Sequence, residues 1–145
     1  MNWLAFAVRV AMGLLLLGAG ALKIGHAPAL AAAIAGFHLL PAAVVAPLSI
    51  GLPFVEVFLG LYLTIGLFVR FVGWVAAAQF GLYALAIASA VVRHIPANCG
   101  CFGPDDVATA DWPHVAIDLL LGALCAFVAW RAPGALALDG KLKKA

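Results

Sequence analysis

Charge is what this chain has least of. Eight Lys and Arg and six Asp and Glu are spread through 145 residues, 10% of the total, while 67% are hydrophobic. Mean hydropathy is +1.17. A soluble domain carries roughly a quarter charged residues. So few charges cannot cover the chain in water, which excludes a soluble globular protein and implies an integral membrane one. The net charge is only +2, and no basic run is interleaved with aromatics, so nucleic-acid binding is excluded as well. No repeat of solenoid period and no low-complexity linker divides the chain, and its length suits a single domain over residues 1–145. Cysteine is also scarce. Of three in all, two stand one residue apart in "NCGCFG" at 98–103.

A membrane-spanning helix needs about 20 mostly apolar residues. Four stretches qualify, at about 3–23, 43–69, 71–92 and 113–130, so the expected fold class is all-α with four spans. Residues 26–41, "HAPALAAAIAGFHLLP", are apolar but short and broken by prolines. They are expected to form an interfacial or re-entrant helix between spans one and two. Arg9 followed by "VAMGLLLLGAGAL" also has the features of a secretory signal. The helical pattern continues to Lys23 with three spans behind it, which favours a retained first span.

Lys and Arg concentrate on the cytoplasmic side of membrane proteins. Arg131, Lys141, Lys143 and Lys144 lie in the C-terminal tail, and Arg70 in the tight connection between spans two and three. On the other side Lys23 and Arg93 are diluted by Asp105, Asp106 and Asp111. Both termini are therefore expected in the cytoplasm, and residues 93–112 outside. In a bacterial inner membrane, outside is the periplasm, where disulfides persist. The last dozen residues, within a tail of 132–145, read as a frayed cytoplasmic end.

Cys99 and Cys101 then fall in a compartment where thiols are oxidised and reduced. Gly100 and Gly103 let the loop turn sharply. A bond between cysteines one residue apart departs from comfortable disulfide geometry. Such strain makes it labile and suited to exchange. Positive neighbours, Arg93 and His94, favour a thiolate, and Cys99, nearer to them, is the sulfur expected to attack first. A structural staple is disfavoured, because so small a loop removes little chain entropy. Metal binding is the competing reading: the two thiols with His94 and His114 are ligand types that Cu(I) or Zn(II) accepts. No metal site is assigned. Cys125, in the fourth span, reads as a small packing residue, although Asp118, Gly122 and Cys125 share a helical face.

Ionisable residues inside spans are costly and usually face the bundle interior. Here they are Arg9, Lys23, Glu56 and Asp118. Arg9 and Lys23 are fourteen residues apart, nearly one helical face at about 100° per residue. Glu56 follows Pro53 by one turn and precedes Gly60 by one, a residue that lets a neighbouring helix approach. Asp118 is expected at a similar depth. Together they suggest an internal polar network, either pinning the helices in register or forming a proton path or polar pocket below the cysteine loop. Lys23, near the end of its span, could equally snorkel. Gln79 and Tyr83, one turn apart, are expected to face inward. Trp3, Trp112 and Trp130 fit an interfacial aromatic belt.

Arg9 with "MGLLLLGAGALK", then "LPFVEVFLG", then "CGCFG" before a last span with Asp118, resembles the MauE/DoxX family of redox-associated membrane proteins. Ile117 stands where that pattern often has a basic residue. The resemblance runs from about residue 6 to about 131 and implies a DoxX-like four-helix membrane bundle. It also implies thiol–disulfide chemistry outside the cytoplasm with a thioredoxin-like partner, here a separate chain. Methylamine-utilisation members are implicated in maturing the disulfide-rich small subunit of methylamine dehydrogenase, which would be the client. By resemblance Cys99 and Cys101 take the redox role, with Gly100, Phe102 and Gly103 shaping their loop. Arg9, Lys23, Glu56 and Asp118 take the motif positions inside the bundle. A quinone in the bundle would fit by analogy with other membrane disulfide oxidoreductases. Those usually use two cysteine pairs, and this chain has one pair plus Cys125. A non-catalytic assembly factor or a metal-binding membrane protein is the alternative function.

Overall fold

Backbone polar groups in hydrocarbon must find their partners within the segment, so long apolar runs fold as helices. In the computed structural model the described residues are 3–98, 109–132 and 136–139. They form α1 (Trp3–Lys23), α2 (Ala27–Gly36), α3 (Ala42–Ile65), α4 (Val69–Val92) and α5 (Trp112–Arg131). All but α2 are 20 to 24 residues long, with mean hydropathy between 1.7 and 2.0, and are long and apolar enough to cross a membrane. The protein is a four-helix multi-pass membrane bundle. The 10-residue α2, between spans one and two, buries none of its residues and lies against α3. At about 1.5 Å per residue it is far too short to cross the bilayer.

The break between spans two and three lies at residues 66–68, a few residues before the expected one. Gly66 takes a left-handed φ of 78°, and the N–H groups of Gly66 and Leu67 both donate to the Tyr62 carbonyl, at 2.9 and 3.0 Å. This is the hydrogen-bonded glycine stop common at helix ends. Phe68 is also left-handed, at φ 49°. Because "GLFV" is apolar throughout, hydropathy cannot see the turn. Arg70 consequently sits in the first turn of α4.

Helix α1 packs along α3, α4 packs along α5, and the two pairs meet more sparsely, through α1 with α5 and through α3 with α4. Small residues set the first contact. A Cβ on Gly60 would lie 2.6 Å from the Gly13 carbonyl oxygen, and one on Gly20 would lie 2.7 Å from that of Pro53. Between α4 and α5, a Cβ on Gly73 would meet Ala129 at 2.9 Å. Backbones this close maximise dispersion contacts, the main adhesive between helices in lipid. By contrast α3 and α4 touch little, as do α1 and α5, although only three residues join α3 to α4.

Two apolar clusters follow. One, centred on Leu16, Leu63, Val69, Ala76 and Cys125, fills the half nearer the chain termini. The other gathers Phe37, Ala84, Ile87, Ala90, Ala97 and Val115 at the opposite end, called here the loop end. There, Asn98 and Thr109 form an antiparallel bridge, and Ala110 N–H donates to the Ala97 carbonyl at 2.9 Å. The bridge clamps the two ends of segment 99–108. Cys99, Gly100, Cys101, Phe102 and Gly103 lie outside the described residues.

The expectation of a frayed C-terminal tail needs correcting over residues 136–139. Ala137 is buried in the first cluster. Asp139 accepts from the backbone N–H groups of Phe68 and Val69, each at 2.9 Å, and its own N–H donates to the Gly66 carbonyl at 3.1 Å. A carboxylate from the far end of the chain thus caps α4, satisfying donors that a helix N-terminus leaves open.

Gly66 is the hinge of this arrangement. A Cβ there would approach Ala137 Cα at 2.7 Å and collide with the Arg9 guanidinium, besides being strained by the positive φ. Gly66→Ala is expected to destabilise the protein by about 1–3 kcal/mol, the usual range for overpacking. Gly18→Ala, with nothing within 4 Å of the new methyl, should leave it unchanged. Thermal unfolding in detergent checks both, and an unaltered midpoint for Gly66→Ala would contradict the packing described.

Candidate functional site

The Gly20–Pro53 contact decides what happens one turn further along α1. It carries Lys23 onto Glu56, whose Cβ already lies 3.0 Å from the position a Gly20 Cβ would take. Lys23 Nζ donates to both carboxylate oxygens, at 2.8 Å to Oε1 and 2.9 Å to Oε2. Both residues are almost wholly buried, 3% and 1% exposed. Lys23 therefore does not snorkel. Two residues of α4 complete the cluster: Tyr83 Oη donates to Glu56 Oε1 at 2.7 Å, and Gln79 Nε2 donates to Tyr83 Oη at 2.8 Å and to Oε1 at 3.3 Å. The ammonium also lies 5.8 Å from the Tyr83 ring centroid, within cation–π range. Three helices thus converge on one carboxylate.

The other two intramembrane charges stand apart from this cluster. Asp118 is 5% exposed on α5, and its Oδ2 is buried with no hydrogen-bond partner. It lies within electrostatic reach of Lys23 and His114 but bonds to neither. Arg9 lies four turns from Lys23 along α1, about 21 Å at 1.5 Å per residue. It is 1% exposed. Its guanidinium abuts Gly66, is placed to interact electrostatically with Asp139, and sits 5.4 Å from the Phe6 ring centroid. The four charges expected to share one network thus fall into three places. Helical spacing puts Arg9 and Lys23 on one face, but it cannot say which partner each meets at opposite ends of a bilayer-length helix.

At the loop end, Arg93 directs its donors at helix C-terminal carbonyls. Nε reaches Ser89 O at 3.1 Å, and Nη2 reaches Phe37 O at 2.5 Å. It thereby ties α2 to the end of α4. His94 closes α4 in a left-handed conformation, φ 54°. Asp111 caps α5, accepting from His114 N–H at 3.0 Å, while the His114 ring nitrogen Nδ1 lies 2.5 Å from the same oxygen. These contacts from His114 hold the Asp111 carboxyl below its ordinary value of 3.8. Among the described residues no three His, Cys, Asp or Glu side chains come together as metal ligands. Cys125 is fully buried.

A cavity of about 570 Å³ opens between α2, α3 and α4. Lys23, Gln79 and Tyr83 line its floor, and the rest of its wall is apolar. The sequence offered a polar pocket as one reading of the intramembrane charges, but not a largely apolar cavity walled by α2, α3 and α4. The Asp139 cap was not legible, since it depends on a contact between residues about 70 positions apart.

The fold and this buried polar site define a class: small four-span membrane proteins whose helices are joined through a lysine–glutamate pair inside the bilayer. Residues 1–131 match the family described as methylamine utilisation protein MauE, and the chain belongs to that family. No curated protein and no solved structure matches it.

The ion pair makes a stability prediction. Glu56→Ala should cost about 3–5 kcal/mol, because it strands a buried ammonium, whereas the double change Lys23→Met with Glu56→Met should recover most of that loss. Thermal unfolding of the two variants beside the wild type decides it, and a mild Glu56→Ala would mean that Lys23 is hydrated. A second prediction concerns pH. A carboxyl with a lowered folded pKa contributes its full stabilisation above the unfolded value and loses it as pH falls through the folded one. The His114 backbone amide, followed by NMR, should therefore titrate with a midpoint below 3.8. A midpoint at or above that value would contradict the cap.

Proposed function

We propose that this protein is a membrane-embedded thiol–disulfide redox protein whose Cys99-Gly100-Cys101 loop faces the periplasm of an inner membrane, with both termini in the cytoplasm. Its two cysteines exchange disulfides with a soluble thioredoxin-like protein during maturation of an extracytoplasmic client. Membership of the methylamine-utilisation family makes the small subunit of methylamine dehydrogenase the client of choice.

The observation that supports this reading is the bridge between the two residues that flank the cysteine segment in the sequence. Asn98 and Thr109 are bridged at the loop end, and Cys99 follows Asn98 directly in the chain. The bundle fixes the flanking residues, and the cysteines between them in the sequence supply the chemistry. In the exchange, a thiolate of one protein attacks a sulfur of the other's disulfide. A mixed disulfide forms, the displaced sulfur leaves as thiolate, and the neighbouring cysteine then resolves the mixed bond. Electrons pass in pairs and no external oxidant enters this step.

Labelling tests it directly. Intact cells are treated with a membrane-impermeant maleimide, with and without prior reductant, and the peptide containing Cys99 and Cys101 is analysed by mass spectrometry. Labelling that appears only after reduction, and from the outside, is the expected result. Cysteines that remain alkylatable in every redox buffer, or that are reached only after lysis, would end the proposal. Metal analysis of the purified protein addresses the alternative of a non-catalytic, metal-holding assembly factor: stoichiometric copper or zinc lost in Cys99→Ser and in Cys101→Ser would favour it.

A further inference from the structure

The cavity between α2, α3 and α4 has no part in the exchange described above, yet it has the features of a binding site. Its volume of about 570 Å³ falls in the range of small-molecule pockets. Its rim includes Ala78 and Leu82, both exposed on the outer face of α4, so an occupant enters from the lipid. Its only polar groups are at the floor. We propose that it binds a lipid-soluble quinone, with the ring at the Lys23–Gln79–Tyr83 floor and the prenyl tail leaving past Leu82.

Charge and hydrogen-bond inventory select this ligand over other amphiphiles. Lys23 and Glu56 neutralise each other, so the floor presents no net charge to attract a phosphate and no free cation to hold one. What it presents is hydrogen-bonding capacity. Lys23 has three N–H donors and directs two at Glu56, leaving one. Gln79 uses its amide nitrogen on Glu56 and Tyr83, leaving its carbonyl oxygen as an acceptor. One donor beside one acceptor suits a neutral head that is a carbonyl when oxidised and a hydroxyl when reduced. A quinone carbonyl accepts from Lys23, and the hydroxyl of the quinol can also donate to Gln79. An acyl chain would satisfy neither group.

The cavity also adjoins the stem of the cysteine loop. Phe37 and Ile87 line its wall, and the same two side chains pack with Ala97, one residue before the bridge. On the proposed function this gives the occupant a task, and to that extent the inference rests on that reading. Oxidation of the Cys99 and Cys101 thiols to a disulfide releases two electrons and two protons. Reduction of one quinone to quinol takes up the same number. Binding itself stands on the cavity alone.

The test uses the full chain, purified in detergent and titrated with decylubiquinone by isothermal calorimetry. Saturable one-to-one binding is expected. Ala78→Trp, which fills the rim from an exposed position, and Gln79→Leu, which removes the head-group acceptor, should each weaken it at least tenfold. Thermal unfolding confirms that each variant is folded. Should Gln79→Leu fail to fold, Ala78→Trp alone decides. The double variant Cys99→Ser with Cys101→Ser should bind as the wild type does, so loss of the thiol reading would leave this result standing. The inference is overturned if the wild type shows no saturable binding, if Ala78→Trp binds unchanged, or if decane competes as well as the quinone and marks the cavity as an acyl-chain site.

Discussion

The structure depends on a charge pair in a place where charge is expensive. An ammonium and a carboxylate taken into hydrocarbon each lose several kcal/mol of hydration, recovered only when geometry is good and the remaining lone pairs are used. Lys23 and Glu56 meet that condition through a two-pronged contact, and Tyr83 and Gln79 take up the further acceptor capacity of Glu56 Oε1. Because α1, α3 and α4 each contribute, the pair has only one satisfied arrangement. Sliding α1 or α3 by a turn would leave a buried charge unanswered, and sliding α4 would take from Glu56 its two neutral donors. Dispersion contacts between apolar helices are nearly indifferent to such slips. The polar cluster is not, and it therefore sets the register.

Glycines make that contact reachable. Gly13, Gly20 and Gly60 bring the α1 and α3 backbones together, and Lys23 lies one turn beyond the last close approach on α1. The same logic operates at the other end with different parts. There Gly66 turns the chain in a left-handed conformation, Asp139 returns to cap the following helix, and Arg9 packs against the turn within electrostatic reach of that carboxylate. Each end of the bundle thus has a polar fastening, and α1 supplies a cation to each. The helices α3 and α4, fastened at the turn and through Glu56, need not pack closely elsewhere. That leaves room for the cavity between them, with α2 across it.

Platform and chemistry are separated in this protein. The apolar cluster at the loop end and the Asn98–Thr109 bridge hold the stem, while the cysteine pair lies in the sequence between the two bridged residues. Arg93, which by sequence position stands beside the pair, is engaged with the ends of α2 and α4. Its role in the described structure is to seat α2, and hence the cavity wall, rather than to lie free as a neighbouring charge. Asp118, buried and with one oxygen lacking a partner, is the one intramembrane charge that the packing does not explain.

The amino-acid sequence by itself determined the class, the span number and the inventory of costly residues. Scarcity of charge over four apolar runs has one physical solution in lipid, and the helices fall within a few residues of those runs. It also marked Glu56, Gln79 and Tyr83 as inward-facing, because a polar residue in a span has nowhere else to go, and left Lys23, near the end of its span, between the interior and the interface. Only the tertiary structure decided who meets whom. Periodicity assigns a side chain to a face but not to a partner, so Arg9 and Lys23 looked like one pair of cations and proved to serve opposite ends. Turn position, the docking of Asp139 and the opening between α3 and α4 were hidden for the same reason. Each depends on contacts between residues far apart in the chain, and no local pattern records a distance of that kind.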